Sequence, residues 1–336
     1  MPREFGTKNR QENQVDGLIS VRDDVAAALE RGAPVVALES TVIAHGLPRP
    51  RNLETARKME AVVREAGATP ATIGILDGKM IVGLTDEQIV FLAEAQDVAK
   101  VSRSDLSAVL ASGRPGATTV AGTMFIAARA GIHVFATGGI GGVHRGSENT
   151  YDISADLTEL SRTQVAVVCA GAKAILDLPR TVEVLETLGI PVVGYGTNEF
   201  PAFYSRESGL PLQHRVDSPH DGARLLRIQW DLGCFGQGTS TGVVIANPPP
   251  AESALAREEI ESLIVSALQA AELAGIRGKS VTPFLLEEVG RTSHGKTLET
   301  NIALLMNNAG LAARIAVAYC AQNSRVSELS AARPAP

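Results

Sequence analysis

The chain of 336 residues is 45% apolar, only 4% aromatic, and carries a net charge of −6. Such a core is made of Ala, Val, Ile and Leu, which suits parallel strands covered by helices; the acidic balance, without a basic stripe, excludes nucleic acid as a partner. With no run of 18 apolar residues and a polar start, neither a membrane span nor a secretory signal is expected, and a cytoplasmic protein is the reading that follows.

In chain order, residues 1–17 are charged and turn-rich and are expected as a mobile tail, as are residues 323–336. Nothing in 18–322 looks like a linker, and no period of 20 to 50 residues recurs. Strands are predicted at 35–40 (VVALES), and at 71–76 and 79–84 as a hairpin around Asp77-Gly78, a pair suited to a turn needing positive φ. Between them, 53–67 reads as a helix with Met59, Val62 and Val63 on one face. A strand at 98–102 and a helix at 118–131 follow, then strands at 132–139, 165–171, 191–198 and 242–248. Two long helices are predicted near the end, at 251–275 and 298–320. The alternation predicts a single three-layer α/β/α domain with a largely parallel, mixed sheet. Cys169, Cys234 and Cys320 are far apart, odd in number and outside any CxxC pair, so they are expected as buried thiols.

Open α/β sheets bind ligands beyond the carboxyl ends of their strands. Polar residues gather at those ends: Glu39-Ser40-Thr41, Lys100-Val101-Ser102, Thr137-Gly138-Gly139, Lys173, Thr197-Asn198 and Asn247. They are expected to converge on one pocket. Glu39 directly follows the apolar run VVAL, and a buried carboxylate needs a partner. An ion pair would supply one; a general acid or base is the functional alternative. Lys173 ends VAVVCAGAK and is read as opening a helix, AILDL. A lysine leaving a buried strand loses its proton more easily through desolvation or a second cation, for which Lys100 is the candidate. Pointing to water instead, it would oppose the dipole of that helix.

The GGIGG turn at 138–142 is followed by VHRGSENTYD and not by a helix, which argues against a dinucleotide fingerprint. Its glycines are expected to let the backbone approach a phosphate or a metal site. In DISAD, Ser154 and Asp156 fit a helix N-cap and first turn, which leaves Asp152 for a hard ion such as Mg²⁺ or Mn²⁺. His144 and Arg145 share that loop and could meet an anionic substrate. Thr118, Thr119 and Val120 open a helix whose N–H groups suit a second anion or plain capping. Asn301 and Asn308 fall on a similar helix face, and amides on an apolar face need partners.

Together, ALESTVIAHGLP, KVSRSDL, GATTVAGTM, ATGGIGGVHRG, DISADL, VVCAGAKAILDL, VVIANP, TPFLL and NNA resemble, in order, the pseudouridine-5'-phosphate glycosidase family, also called indigoidine synthase A-like proteins. The resemblance spans about residues 18–320. It implies cleavage of the C–C glycosidic bond of pseudouridine 5'-phosphate to uracil and ribose 5-phosphate, one divalent ion per subunit (usually Mn²⁺), and a homotrimer. Carried over by position, Lys173 resembles the nucleophilic lysine and Glu39 the proton donor. Lys100 and the backbone of Val120 resemble substrate contacts, Asp152 the metal ligand, and Ser154, Ala155 and Asp156 a further substrate-binding segment. His144 and Asn301 resemble pocket residues. The chain departs from the family pattern in its N-terminal tail and in FGQGTSTG (235–242), which bears on substrate gating. The chemistry agrees. A carbon leaving group cannot be expelled by protonating a glycosidic oxygen, whereas a lysine can carry the opened sugar as an imine while an acid protonates the departing base. The alternative is a non-catalytic sugar-phosphate sensor, which would bind ribose 5-phosphate and release no uracil.

Overall fold

The computed structural model describes residues 16–233, 240–276 and 281–331, with only the backbone at 16, 233, 282–283 and 323–331. Cys234, residues 1–15, most of 235–242 and residues 332–336 lie outside the described residues. Strand β1 (Ile19–Val21) and helix α1 (Asp23–Glu30) lead into β2 (Val35–Glu39), which is buried at every position. A π-type turn (Val42–Gly46) precedes α2 (Arg51–Glu65), β3 (Thr69–Leu76) and β4 (Lys79–Val82). β3 and β4 form the expected hairpin, and Asp77 (φ 51°) and Gly78 (φ 69°) take the left-handed conformation its turn requires. Next come α3 (Asp86–Glu94), β5 (Ala99–Val101), α4 (Leu106–Ser112), β6 (Gly116–Thr118), α5 (Val120–Arg129) and β7 (Val134–Ala136). They are followed by β8 (Val143–His144), α6 (Ser147–Thr150), α7 (Ala155–Leu160), β9 (Ala166–Cys169), β10 (Leu176–Asp177) and α8 (Leu178–Thr187). The last elements are β11 (Val192–Tyr195), β12 (His214–Val216), α9 (Pro219–Gly233), β13 (Val243–Ala246), α10 (Arg257–Leu273), α11 (Val281–Thr292) and α12 (Lys296–Ala331).

The main sheet runs β1-β4-β3-β2-β7-β9-β13-β11-β12, parallel from β3 to β12, with β4 antiparallel to β3. The expected mixed, largely parallel sheet is therefore present. Since β2, β7, β9 and β13 are buried throughout, both faces must be covered. Helix α12 packs with α2 and α9 over β2, β7 and β9, while α5 packs with α7 over β2 and β3. Over Lys296–Gln322, α12 is long and apolar enough to cross a membrane by length and composition. Its Leu304, Leu305, Leu311 and Ile315 are instead buried, as the central helix of a layered core demands.

Three differences from the sequence reading matter. Helix α12 runs to Ala331, beyond the predicted boundary at 320. The segment after Lys173 is not a helix: it forms β10, and α8 begins only at Leu178, capped by Asp177 Oδ1 accepting from the Arg180 N–H at 3.1 Å. Pro179 in the first turn explains the later start. Finally, β5 is parallel to β6, which is antiparallel to β3. Lys100 therefore reaches the carboxyl edge on a strand running against the main sheet, because β6 pairs with Gly74 and Ile75 near the end of β3.

Candidate active site

Sheet register builds the first part of the site. Leu38 lies level with Ala136, and Ala136 with Val168, so the next residues, Glu39, Thr137 and Cys169, emerge side by side at the carboxyl edge. Glu39 is buried; Thr137 Oγ1 donates to its Oε1 and Thr41 Oγ1 to its Oε2. Two hydroxyls thus supply hydrogen-bond partners that a buried carboxylate needs. Cys169, level with Glu39 and Thr137, is a free thiol whose complete burial pushes its pKa up to about 12, which leaves it inert; Cys320 is half-buried.

Beyond the last ladder pairs, β7 and β9 stay joined. The Ile140 N–H donates to the Gly171 carbonyl at 3.0 Å and the Lys173 N–H to the Ile140 carbonyl at 3.1 Å. Gly171 turns the chain at φ 81°, and a Cβ there would meet the Pro201 carbonyl oxygen at 2.2 Å. This holds the lysine segment against the glycine turn. Since no helix begins at Lys173, the helix-dipole argument about its side chain has no basis; its place in a cleft is what positions it.

Two adjoining cavities form that cleft. An outer one of about 740 Å³ and an inner one of about 60 Å³ share Glu39, Thr41, Lys100 and Lys173 in their walls. Val120, His144, Asp152, Ser154, Ala155 and Asp156 line the outer cavity, and Asn301 lines the inner one. Every residue to which the family resemblance assigns a role therefore borders one cleft. Thr197, Asn198 and Asn247 line neither cavity, although each follows a parallel strand. Arg145 borders the outer cavity, but its guanidinium is paired with Glu261 at 2.5 and 2.9 Å.

The glycine turn serves packing more than backbone freedom: Gly138, Gly139, Gly141 and Gly142 all lie outside the left-handed region. A Cβ at Gly141 would fall 2.2 Å from Ser154 Oγ and 2.8 Å from Asp156 Oδ2. Asp156 is buried, and its carboxylate accepts from the Ala121 N–H (2.9 Å) and the Gly141 N–H (2.8 Å). It joins the start of α5 to the glycine turn. Ser154 caps α7, its Oγ accepting from the Asp156 N–H at 3.2 Å. Gly141→Ala is accordingly expected to displace the segment 154–156 and to cost about 1–3 kcal/mol of stability by overpacking. A denaturant titration checks this, and an unchanged midpoint would refute the packing account.

Several wall residues carry no signal in local pattern. Phe203 holds φ 64°, a rare conformation for a bulky residue, and its ring occupies the space a Cβ at Gly139 would enter at 2.6 Å. His45, in the π-type turn, lines the inner cavity, and its buried Nε2 has no hydrogen-bond partner. Burial, then the charge of Lys100, lowers its pKa. His144 is also held below the usual histidine range by burial and by Lys173 and Lys100, against the opposing pull of Asp152. Both rings are thus biased toward the neutral form. The π-type turn is a feature often found at functional sites, but its sequence, VIAHG, looks like any apolar turn.

Among the described residues, no group of three or more His, Cys, Asp or Glu side chains could hold a metal. Asp152 lines the outer cavity, and its carboxylate, whose charge acts on His144, enters none of the hydrogen bonds or ion pairs among the described residues. One open carboxylate beside a roomy cavity fits a hard, largely hydrated ion such as Mn²⁺ or Mg²⁺ and not a soft multi-ligand site.

The chain matches the family described as indigoidine synthase A like protein over residues 24–318. A pseudouridine-5'-phosphate glycosidase of Caldanaerobacter subterraneus subsp. tengcongensis is 55% identical over 299 residues, 89% of this chain and 96% of that protein. One from Herpetosiphon aurantiacus is 57% identical over 295 residues, 88% of this chain and 96% of that protein. Among solved structures, the prealnumycin C-glycosynthase AlnA in complex with ribulose 5-phosphate aligns with a TM-score of 0.84 at 42% identity, covering 92% of this chain and 99% of its own. Motif order, fold and relatives agree, and the chain belongs to the indigoidine synthase A-like family.

Proposed function

We propose that the protein is a pseudouridine-5'-phosphate glycosidase that reversibly cleaves its substrate to uracil and ribose 5-phosphate through an imine on Lys173. The observation that carries this reading is the shared wall: Glu39, Lys100 and Lys173 stand where the inner and outer cavities meet. The relatives named as pseudouridine-5'-phosphate glycosidases support it. The Lys173 amine attacks C1' of the sugar; the C1'–O4' bond breaks and O4' takes a proton. Glu39 then protonates C5 of the base. The lysine nitrogen lone pair forms C=N as the C1'–C5 bond breaks, and its electrons restore the C5=C6 double bond of uracil. Water hydrolyses the imine, releasing ribose 5-phosphate and the free lysine.

In the same reading, Val120 and the segment Ser154, Ala155 and Asp156 hold the phosphate end, where helix N-termini offer N–H groups. Lys100 adds positive charge, and His144 and Asn301 complete the substrate contacts. Asp152 would hold one divalent ion per subunit, Mn²⁺ in this proposal, which when bound supplies positive charge beside the substrate phosphate. A cytoplasmic homotrimer belongs to the proposal too. The wild type is expected to release uracil from pseudouridine 5'-phosphate with Mn²⁺, and to lose that activity on chelation or in Asp152→Asn. No release under any metal condition would remove the proposal, and release indifferent to chelation would remove the ion.

A further inference from the structure

We propose that Asn308 is a positioning residue for Glu39, acting through Thr137; this rests on the glycosidase reading above. Asn308 is fully buried on α12. Its Nδ2 donates to the Thr137 carbonyl at 2.8 Å and lies 3.5 Å from that of Gly138, while its Oδ1 accepts from Asn247 Nδ2 at 2.9 Å. Asn247 directly follows β13, and its N–H donates to the Cys169 carbonyl at 2.8 Å. One amide therefore fastens the ends of β7 and β13, two strands separated by β9, to the helix that crosses them.

The chain of contacts does not stop at the backbone. Thr137, held by Asn308 through its carbonyl, donates its hydroxyl to Glu39. It sits just past the end of β7, where its own N–H still bonds the Val168 carbonyl at 3.1 Å but the strand ladder has ended. A threonine is stiff at χ1, so the direction of its hydroxyl follows its backbone. Asn308 also sets where α12 lies, and the same helix carries Asn301 two turns earlier against the glycine turn: a Cβ at Gly138 would come 3.4 Å from Asn301 Oδ1. A side-chain amide can both donate to a carbonyl and accept from a second amide, as Asn308 does here. Leucine, of similar size, would fill the space and leave the Thr137 carbonyl and the Asn247 amide without partners.

The test compares two steps in the full-length protein: uracil release from pseudouridine 5'-phosphate, and borohydride capture of ribose 5-phosphate on Lys173. In Asn308→Leu, release should fall roughly ten- to a hundredfold with KM little changed, the share expected for a misaligned general acid. Capture, which relies on Lys173, should stay within about twofold of wild type. Should Asn308→Leu not fold, Thr137→Val removes only the hydroxyl link and should show the same split, with Thr137→Ser restoring release. Release and capture falling together, or release staying within about twofold, overturns the inference. A wild type that releases no uracil overturns the glycosidase reading itself, and is distinguished from these outcomes by the wild-type control.

Discussion

Replacing Lys173 by alanine is expected to lower uracil release from pseudouridine 5'-phosphate by about 10⁴-fold or more, the order seen when a covalent nucleophile is deleted. The size follows from the leaving group. With no glycosidic oxygen to protonate, expulsion of a carbon depends on electron donation from the lysine nitrogen, and among the described residues Lys100 is the only other amine that lines both cavities. Lys100 lies on β5, which approaches from the opposite strand direction, so it is not a positional substitute. Borohydride reduction with ribose 5-phosphate should add a stable mass on Lys173 in the wild type and none in the variant. The fold should survive, because Lys173 is only half-buried and its backbone contacts are made by main-chain atoms. An active wild type with an unlabelled Lys173 would sink the imine.

Glu39→Gln is expected to reduce uracil release by about 10²- to 10⁴-fold, the usual contribution of a positioned general acid. Glutamine keeps the shape, and its carbonyl can accept from one threonine hydroxyl while its NH2 donates to the oxygen of the other, so the melting temperature should change little; what it lacks is an acidic proton to give. Lys173 capture of ribose 5-phosphate should persist in this variant, in contrast to Lys173→Ala. Release within tenfold of wild type would assign the proton donor elsewhere, with His144 the next group to examine. The two variants thus separate the covalent step from the proton transfer.

Much of the site was legible because apolar strands ending in polar residues are a one-dimensional pattern. VVAL followed by Glu39, and VAVVCAGA followed by Lys173, state both burial and exit point in consecutive residues. The glycine turn was found but its physics was not. Its glycines are required by Ser154, Thr181 and Phe203, which stand where their Cβ atoms would be, and such contacts come from residues remote in sequence. The helix after Lys173 was misplaced because AILDL has helical composition, while pairing of Leu176 with His144 draws the segment into β10.

By itself, the sequence determined the layered parallel architecture, the residues at the strand ends, and the family, because hydrophobic period and motif order are local properties that any fold must respect. Only the tertiary structure decided how those residues work together. That Thr137 and Thr41 hold Glu39, that Asp156 ties α5 to the glycine turn, and that Arg145 pairs with Glu261 all depend on strand register and helix placement. Asn308 and Thr137 are 171 positions apart. No short-range pattern encodes such a bond; it exists because a parallel sheet brings its strand ends level and a buried helix crosses them.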